Sequence, residues 1–194
     1  MANVGSRTPE HHGSQGNAPD AREIERLVSS LGDQDYLAHP EIRGALISRG
    51  KEAVGPLIAA VSSPNGHLRW EAAKILGMMR NPQAAPALVQ AMDDDRFGVR
   101  WLAAEGLISL GRNGLIPLLN ALIQRSDSAW LREGAHHVLR TLAGRGLYAQ
   151  LAPVLAALED IQPAVQVPPA ARASLDALSQ APAPSIRQGS WPRK

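Results

Sequence analysis

Glu133 and His136 in the stretch EGAHH at 133 to 137 stand one helical turn apart, which is half of a carboxylate-bridged metal pattern. A full site of that kind needs a second Glu-x-x-His and two further carboxylates, and the sequence offers neither. His11 and His12 form an adjacent pair in a Gly- and Ser-rich segment; two neighbouring ligands on a floppy stretch do not close a metal site. GALISRGKE at 44 to 52 imitates a phosphate-binding loop. It has one residue too many before Gly50-Lys51, and Glu52 stands where a Ser or Thr should hold magnesium. No G-x-S-x-G, H-E-x-x-H or nucleotide-type glycine fingerprint is present. The absence of cysteine removes disulfides, thiolate zinc sites and cysteine nucleophiles. The expectation from these residues is a chain that is not an enzyme, with no catalytic residue, no metal and no cofactor.

The 194 residues are 44% apolar, enough for one domain with a continuous core. A pI near 9.4 suggests a basic protein, yet the formal net charge is only +2. Near balance does not make the strong positive field that nucleic acid or an anionic membrane would call for. The longest apolar runs, such as LAPVLAAL at 151 to 158, fall far short of the roughly 18 residues that span a bilayer, so a cytoplasmic protein without membrane insertion is expected. Residues 1–19 and the Pro-rich, basic 181–194 have little to bury and are expected to be disordered tails, with Trp191 a possible docking point. The domain is expected to occupy 20–180.

Between the tails, helical apolar periodicity alternates with short breaks: SSPNG at 62 to 66, RNP at 80 to 82, DDD at 93 to 95, GRNG at 111 to 114, SDS at 126 to 128 and GRG at 144 to 146. Superimposing Leu68, Val99 and Leu131 places Ala72, Ile75, Leu76 and Met79 over Ala103, Gly106, Leu107 and Leu110, and over Ala135, Val138, Leu139 and Leu142. All three helices carry the same apolar stripe. The helices before them repeat a proline, at Pro56, Pro86, Pro117 and Pro153, where a position near the helix start is tolerated. A unit of about 31 residues that cannot bury its own stripe is stable only when stacked on copies of itself.

RWEAAKIL at 69 to 76 and RWLAAEGL at 100 to 107, with their arginine after the first apolar residue, small residues and a leucine, together resemble the HEAT repeat, in particular the HEAT-like class of phycobilin lyases. The resemblance implies a right-handed, all-α solenoid of about five helical hairpins over roughly 22–180, with a divergent opening copy and a closing copy interrupted by the loop IQPAVQVPP at 161 to 169. It also implies a structural ladder in which a turn residue supports the arginine of the next helix: Asn65 with Arg69, Asp95 with Arg100, Asp127 with Arg132. Hydroxylases that resemble this repeat hold iron with His-Glu after the arginine. Here those positions read Trp70-Glu71, Trp101-Leu102 and Glu133-Gly134, so that activity is not implied.

At about 100° per residue, Trp70 falls roughly 200° from Leu68 while the apolar stripe centres near 30°. By resemblance the second helix of each hairpin lines the concave surface, giving two rows there: Trp70, Trp101, Glu133 and Lys74, Glu105, His137, with Glu71 beside the first. Each indole either folds over onto the neighbouring repeat or anchors a partner inside the groove. The second option makes the chain an interaction, scaffold or adaptor module for a protein or peptide. The alternative is tetrapyrrole handling like that of a phycobilin lyase or its accessory factor, through the aromatics and His137. Nucleic acid is disfavoured, because the rows carry one lysine against several glutamates.

Overall fold

The computed structural model describes residues 18–33 and 39–180, and every regular element among them is helical. The two expected tails, with His11, His12 and Trp191, lie outside the described residues, apart from the helical turn at Ala18. The helices are α1 (Ala18–Ser30), α2 (His39–Ser48), α3 (Lys51–Ala60), α4 (Gly66–Met79), α5 (Ala85–Ala91, after a tight turn at Pro82–Ala84), α6 (Phe97–Leu110), α7 (Arg112–Gln124), α8 (Ala129–Leu142), α9 (Tyr148–Leu158) and α10 (Pro163–Gln180). No described helix is long and apolar enough to cross a membrane.

Short polar residues start the second helices. The Asn65 side chain accepts from the His67 and Leu68 amides, and Ser128 Oγ accepts from Leu131 N–H, each satisfying amides that the helix itself cannot. Between hairpins the chain reverses at Gly50 and Gly111, which adopt nearly the same conformation (φ 57°, ψ −132° and φ 58°, ψ −128°). That region suits glycine alone. Of the repeated prolines, Pro86 is the second residue of α5, at a helix start as expected, whereas Pro56, Pro117 and Pro153 sit at the sixth position of α3, α7 and α9, one turn deeper. There each removes one backbone bond of its helix.

Consecutive helices pair as hairpins, and the hairpins stack: α1 against α3 and α5 against α7 in one row, α2, α4, α6 and α8 in the other. The repeated stripe is the core. Ala72, Ile75, Leu76, Ala103, Gly106, Leu107, Leu110, Ala135, Val138, Leu139 and Leu142 are buried, and Met79 is half-buried against them. Gly77 and Gly106 mark the crossing of α4 and α6, where a Cβ on Gly77 would stand 3.1 Å from the Gly106 Cα.

The last hairpin is reversed in order. α9 packs against α8 while α10 lies back along α7, after a wide turn at Ala143–Leu147 in which Gly146 takes φ 99°. The stretch expected as a Pro-rich loop at 161–169 is mostly the start of α10, with Pro168 and Pro169 inside the helix. Pro163 opens the helix, where its missing N–H is harmless. Pro168 cannot bond the carbonyl four residues back, that of Ala164, and the Ser126 hydroxyl donates to this oxygen instead at 2.9 Å.

The arginine ladder forms, but with other partners than expected. Arg69, Arg100 and Arg132 each donate to the carbonyl six residues earlier, those of Ser63, Asp94 and Ser126. Arg69 also reaches the next turn, bonding both Asp94 oxygens (2.6 and 3.0 Å) and Asp95 (2.5 Å). Asn65 instead caps α4 and donates to Gly32 O of the preceding turn, Asp95 is bound from behind by Arg69 while Arg100 takes backbone oxygens, and Asp127 is exposed. Asp93 continues the line to Arg125 and Ser128. Gly32, Asn65, Asp93–Asp94 and Ser126–Ser128 thus make a polar spine along the edge where the two helices of each hairpin join. Burial pushes the Asp94 carboxyl up, but the Arg69 guanidinium and the Arg96 N–H outweigh it and hold the group below the usual carboxylate range.

Candidate functional site

The exposed face of α4, α6 and α8 carries two neighbouring clefts. The smaller, about 210 Å³, lies between the first halves of α6 and α8, floored by Ala104 and Gly134 and walled by Phe97, Trp101, Trp130, Arg100, Glu133 and His137. Small floor residues leave the space; a Cβ on Gly134 would already overlap Met92 from below. Its walls are aromatic and open to solvent, with Phe97, Trp101 and Trp130 63%, 46% and 45% exposed. Trp101 stacks between Phe97 (6.3 Å between ring centres) and His137 (4.8 Å). The Arg100 guanidinium lies 4.6 Å over Trp130 and 5.7 Å from the Phe97 ring centre, a cation–π arrangement that holds both rings upright.

The larger cleft, about 560 Å³, opens between the second halves of α4 and α6. Its floor is Gly106 beside Gly77 and its rim includes Lys74, Met78, Arg80, Glu105 and Ser109. The Glu105 carboxylate bonds His137 Nε2 at 2.8 Å, so this pair is the wall between the two clefts. Together they form a groove with an aromatic end that carries Arg100 and Glu133 and a second end that carries Lys74, Arg80 and Glu105.

The structure sorts the residues expected in the two rows. Trp101, Glu133 and His137 line the small cleft, and Lys74 and Glu105 the large one. Trp70 does not join Trp101. It is half-buried, with Gly98 of the next hairpin so close that a Cβ there would come within 3.2 Å of the indole, and Lys74 lies 4.7 Å over its ring. Glu71 is not at the groove either: it is 2% exposed and points into the stack between α2 and α4. Phe97 and Trp130 line the small cleft too, and sequence reasoning missed them, since exposed aromatics in the first turn of a helix carry no phase signal of their own.

Around Glu71 the fold gathers a buried polar cluster. Arg43 donates to both carboxylate oxygens at 2.8 and 2.9 Å, and His39 Nδ1 lies 3.2 Å from Oε1. His67, one turn before Glu71, places Nε2 3.4 Å from His39 Nδ1. The rings of His39, His67 and Trp70 stack in sequence, 5.2 and 6.1 Å apart. Burial lowers the His67 pKa, and the His39 and Arg96 charges add to this against the opposing pull of Glu71.

The family model for HEAT repeats matches residues 17–108 and 54–140, well over half of the chain. The chain is a HEAT-repeat protein. It is similar to the deoxyhypusine hydroxylase of Candida albicans, 28% identical over 109 residues, which is 54% of this chain and 34% of that protein. The phycocyanobilin lyase subunit alpha of Picosynechococcus sp. is 35% identical over 98 residues (46% and 37%), and the bilin biosynthesis protein PecE of Nostoc sp. 36% over 90 residues (45% and 35%). The match spans about a third of each of these relatives. Their names overturn the expectation that this HEAT-repeat protein is not an enzyme, since a hydroxylase and a lyase subunit are among its relatives. That expectation rested on local spacing, and local spacing cannot see groups such as His39 and Glu71, which meet across 32 positions.

Proposed function

We propose that the HEAT-repeat stack serves as a scaffold whose α4–α6–α8 face grips an extended segment of a protein partner. The observation that carries this reading is Trp101: an indole nearly half exposed, held in a fixed plane between Phe97 and His137 at the mouth of an apolar cleft. Rigid aromatic anchors in partly desolvated pockets contribute most of the energy in such recognition. The groove favours a ligand with an apolar or cationic side chain for the Trp101–Glu133 end and an acidic group for the Lys74–Arg80 end. In a peptide array read with the whole protein, Trp101→Ala and Glu133→Gln are expected to erase the same peptides, while Arg132→Ala leaves them bound. Binding patterns indifferent to Trp101→Ala would end this reading.

A second reading, tetrapyrrole handling, is favoured by one feature: the flat Phe97–Trp101–His137 stack beside Arg100 suits a planar conjugated ligand with carboxylate arms. Two of the relatives are named for bilin chemistry. Titrating a linear tetrapyrrole into the protein and following its visible band separates the two. A shift abolished by Trp101→Ala supports the tetrapyrrole; an unchanged spectrum removes it.

A further inference from the structure

We propose that His39, His67 and Glu71 together bind a single zinc-class divalent ion across α2 and α4. Their three ligand atoms all lie within 4.8 Å of one another. Ligands about 2.0–2.1 Å from zinc at tetrahedral angles stand roughly 3.3–3.4 Å apart. The His39 Nδ1 to Glu71 Oε1 distance of 3.2 Å and the His39 Nδ1 to His67 Nε2 distance of 3.4 Å are already two edges of such a tetrahedron. The third edge, between His67 and Glu71, is no longer than 4.8 Å, and His67 is half-buried in the first turn of α4.

The donor chemistry also fits. Two imidazoles and one carboxylate form the set that holds zinc, or iron(II), with one or more positions left for water or a ligand. His67 and Glu71 share one face of α4 because they are four residues apart, and His39 comes from the first turn of α2 in the neighbouring hairpin. His39 and Glu71 are each 2% exposed, so the ion would be held in a buried pocket rather than on a mobile surface. Arg43 bonds both Glu71 oxygens. Metal on Oε1 would leave Oε2 to Arg43, which then fixes the carboxylate as an outer-sphere partner, and the charge of Arg43 favours a weakly held, exchangeable ion over a permanent structural one. The set is not the His-Glu pair of the hydroxylases that resemble this repeat, because Trp70 fills that histidine position and both imidazoles here come from elsewhere.

The site makes no use of the aromatic clefts, so it stands or falls separately from the proposed recognition surface. The test uses the full, untagged chain stripped with chelator and titrated with zinc by calorimetry and with cobalt(II) by visible absorption. The expected result is one ion per chain, with the intense visible bands of tetrahedral cobalt. His67→Asn and His39→Asn are each expected to weaken binding by more than about 100-fold, beyond what loss of an outer-sphere partner does, with helicity retained in His67→Asn. A paired His11→Ala, His12→Ala variant and a paired His136→Ala, His137→Ala variant are expected to bind as the parent does. Absence of binding by the parent overturns the proposal, and so does binding that survives His67→Asn or disappears with either control pair.

Discussion

Replacing Arg69 by alanine tests how the stack is fastened. Its guanidinium is 14% exposed and grips an Asp94 side chain that is 8% exposed, so the pair is largely screened from water by protein. Removing it leaves the Arg96 amide, 2.9 Å away, to donate to the Asp94 carboxylate. Breaking a buried pair from one side costs about 3–5 kcal/mol; the residual exposure and the surviving amide bring this to about 3 kcal/mol. The Asp95 bond adds little, because Asp95 is 75% exposed and open ion pairs are worth well under about 1 kcal/mol. Arg132, by contrast, has a backbone carbonyl as its partner, a bond worth about 1 kcal/mol. In a domain of this size each kcal/mol moves Tm by roughly 2–4 °C. Thermal unfolding should therefore fall by about 6–12 °C in Arg69→Ala and about 2–4 °C in Arg132→Ala. A cycle with Asp94→Ala should return a coupling of about 2 kcal/mol. Equal losses from the two arginines, or strict additivity in the cycle, would refute the spine as a directional clasp between hairpins.

The same pair sets a pH dependence. Because the folded-state pKa of Asp94 is depressed, its stabilisation is complete above the unfolded value of about 4 and lost as pH falls through the folded one. The Tm gap between the parent and Arg69→Ala should hold from pH 7 to about 5 and shrink below about 4. Two glycines should respond in opposite directions. Gly44→Ala, with open space around the new methyl, should gain up to about 1 kcal/mol of helix propensity. Gly77→Ala, pressed on the Gly106 backbone, should lose about 1–3 kcal/mol in urea unfolding. The two indoles should part as well: Trp70→Ala is expected to lose about 2 kcal/mol or more of stability and Trp101→Ala under about 1 kcal/mol, with the latter alone altering ligand binding.

The repeat and its core were legible because period and burial are the same fact seen twice: a stripe that recurs at Ala72, Ala103 and Ala135 must face something, and in a stack that is the next stripe. The break at SSPNG was legible because what ends and starts helices there is local, although Asn65 within it was expected to support Arg69 and instead caps α4. What lay beyond reach depends on neighbours. Periodicity says which way a side chain points, not which turn lies opposite, so the partner of Arg69 was misplaced by one hairpin. Glu71 sits about 90° from the stripe centre, and such an edge position goes inward or outward according to the adjacent helix; here Arg43 and His39 draw it in. The i, i+4 spacing of His67 and Glu71 was a visible signal, incomplete until α2 supplied His39. The reversal of α9 and α10 left no local trace, and the prolines that suggested a loop are accommodated because Ser126, on another hairpin, meets an otherwise orphaned carbonyl.

The polar spine runs along one edge only, at the start of the second helices, and this has a mechanical meaning. Layers riveted along this margin keep their spacing there, while Arg145 on Ile108 O and His137 on Glu105 tie the later hairpins farther along the helices. The aromatic cleft lies close to the rivets, so its width is fixed and it can select by shape. The larger cleft lies toward the far ends of α4 and α6, beyond the spine, over the close crossing of Gly77 and Gly106. One groove thus joins a narrow gauge beside the rivets to a wider bay beyond them.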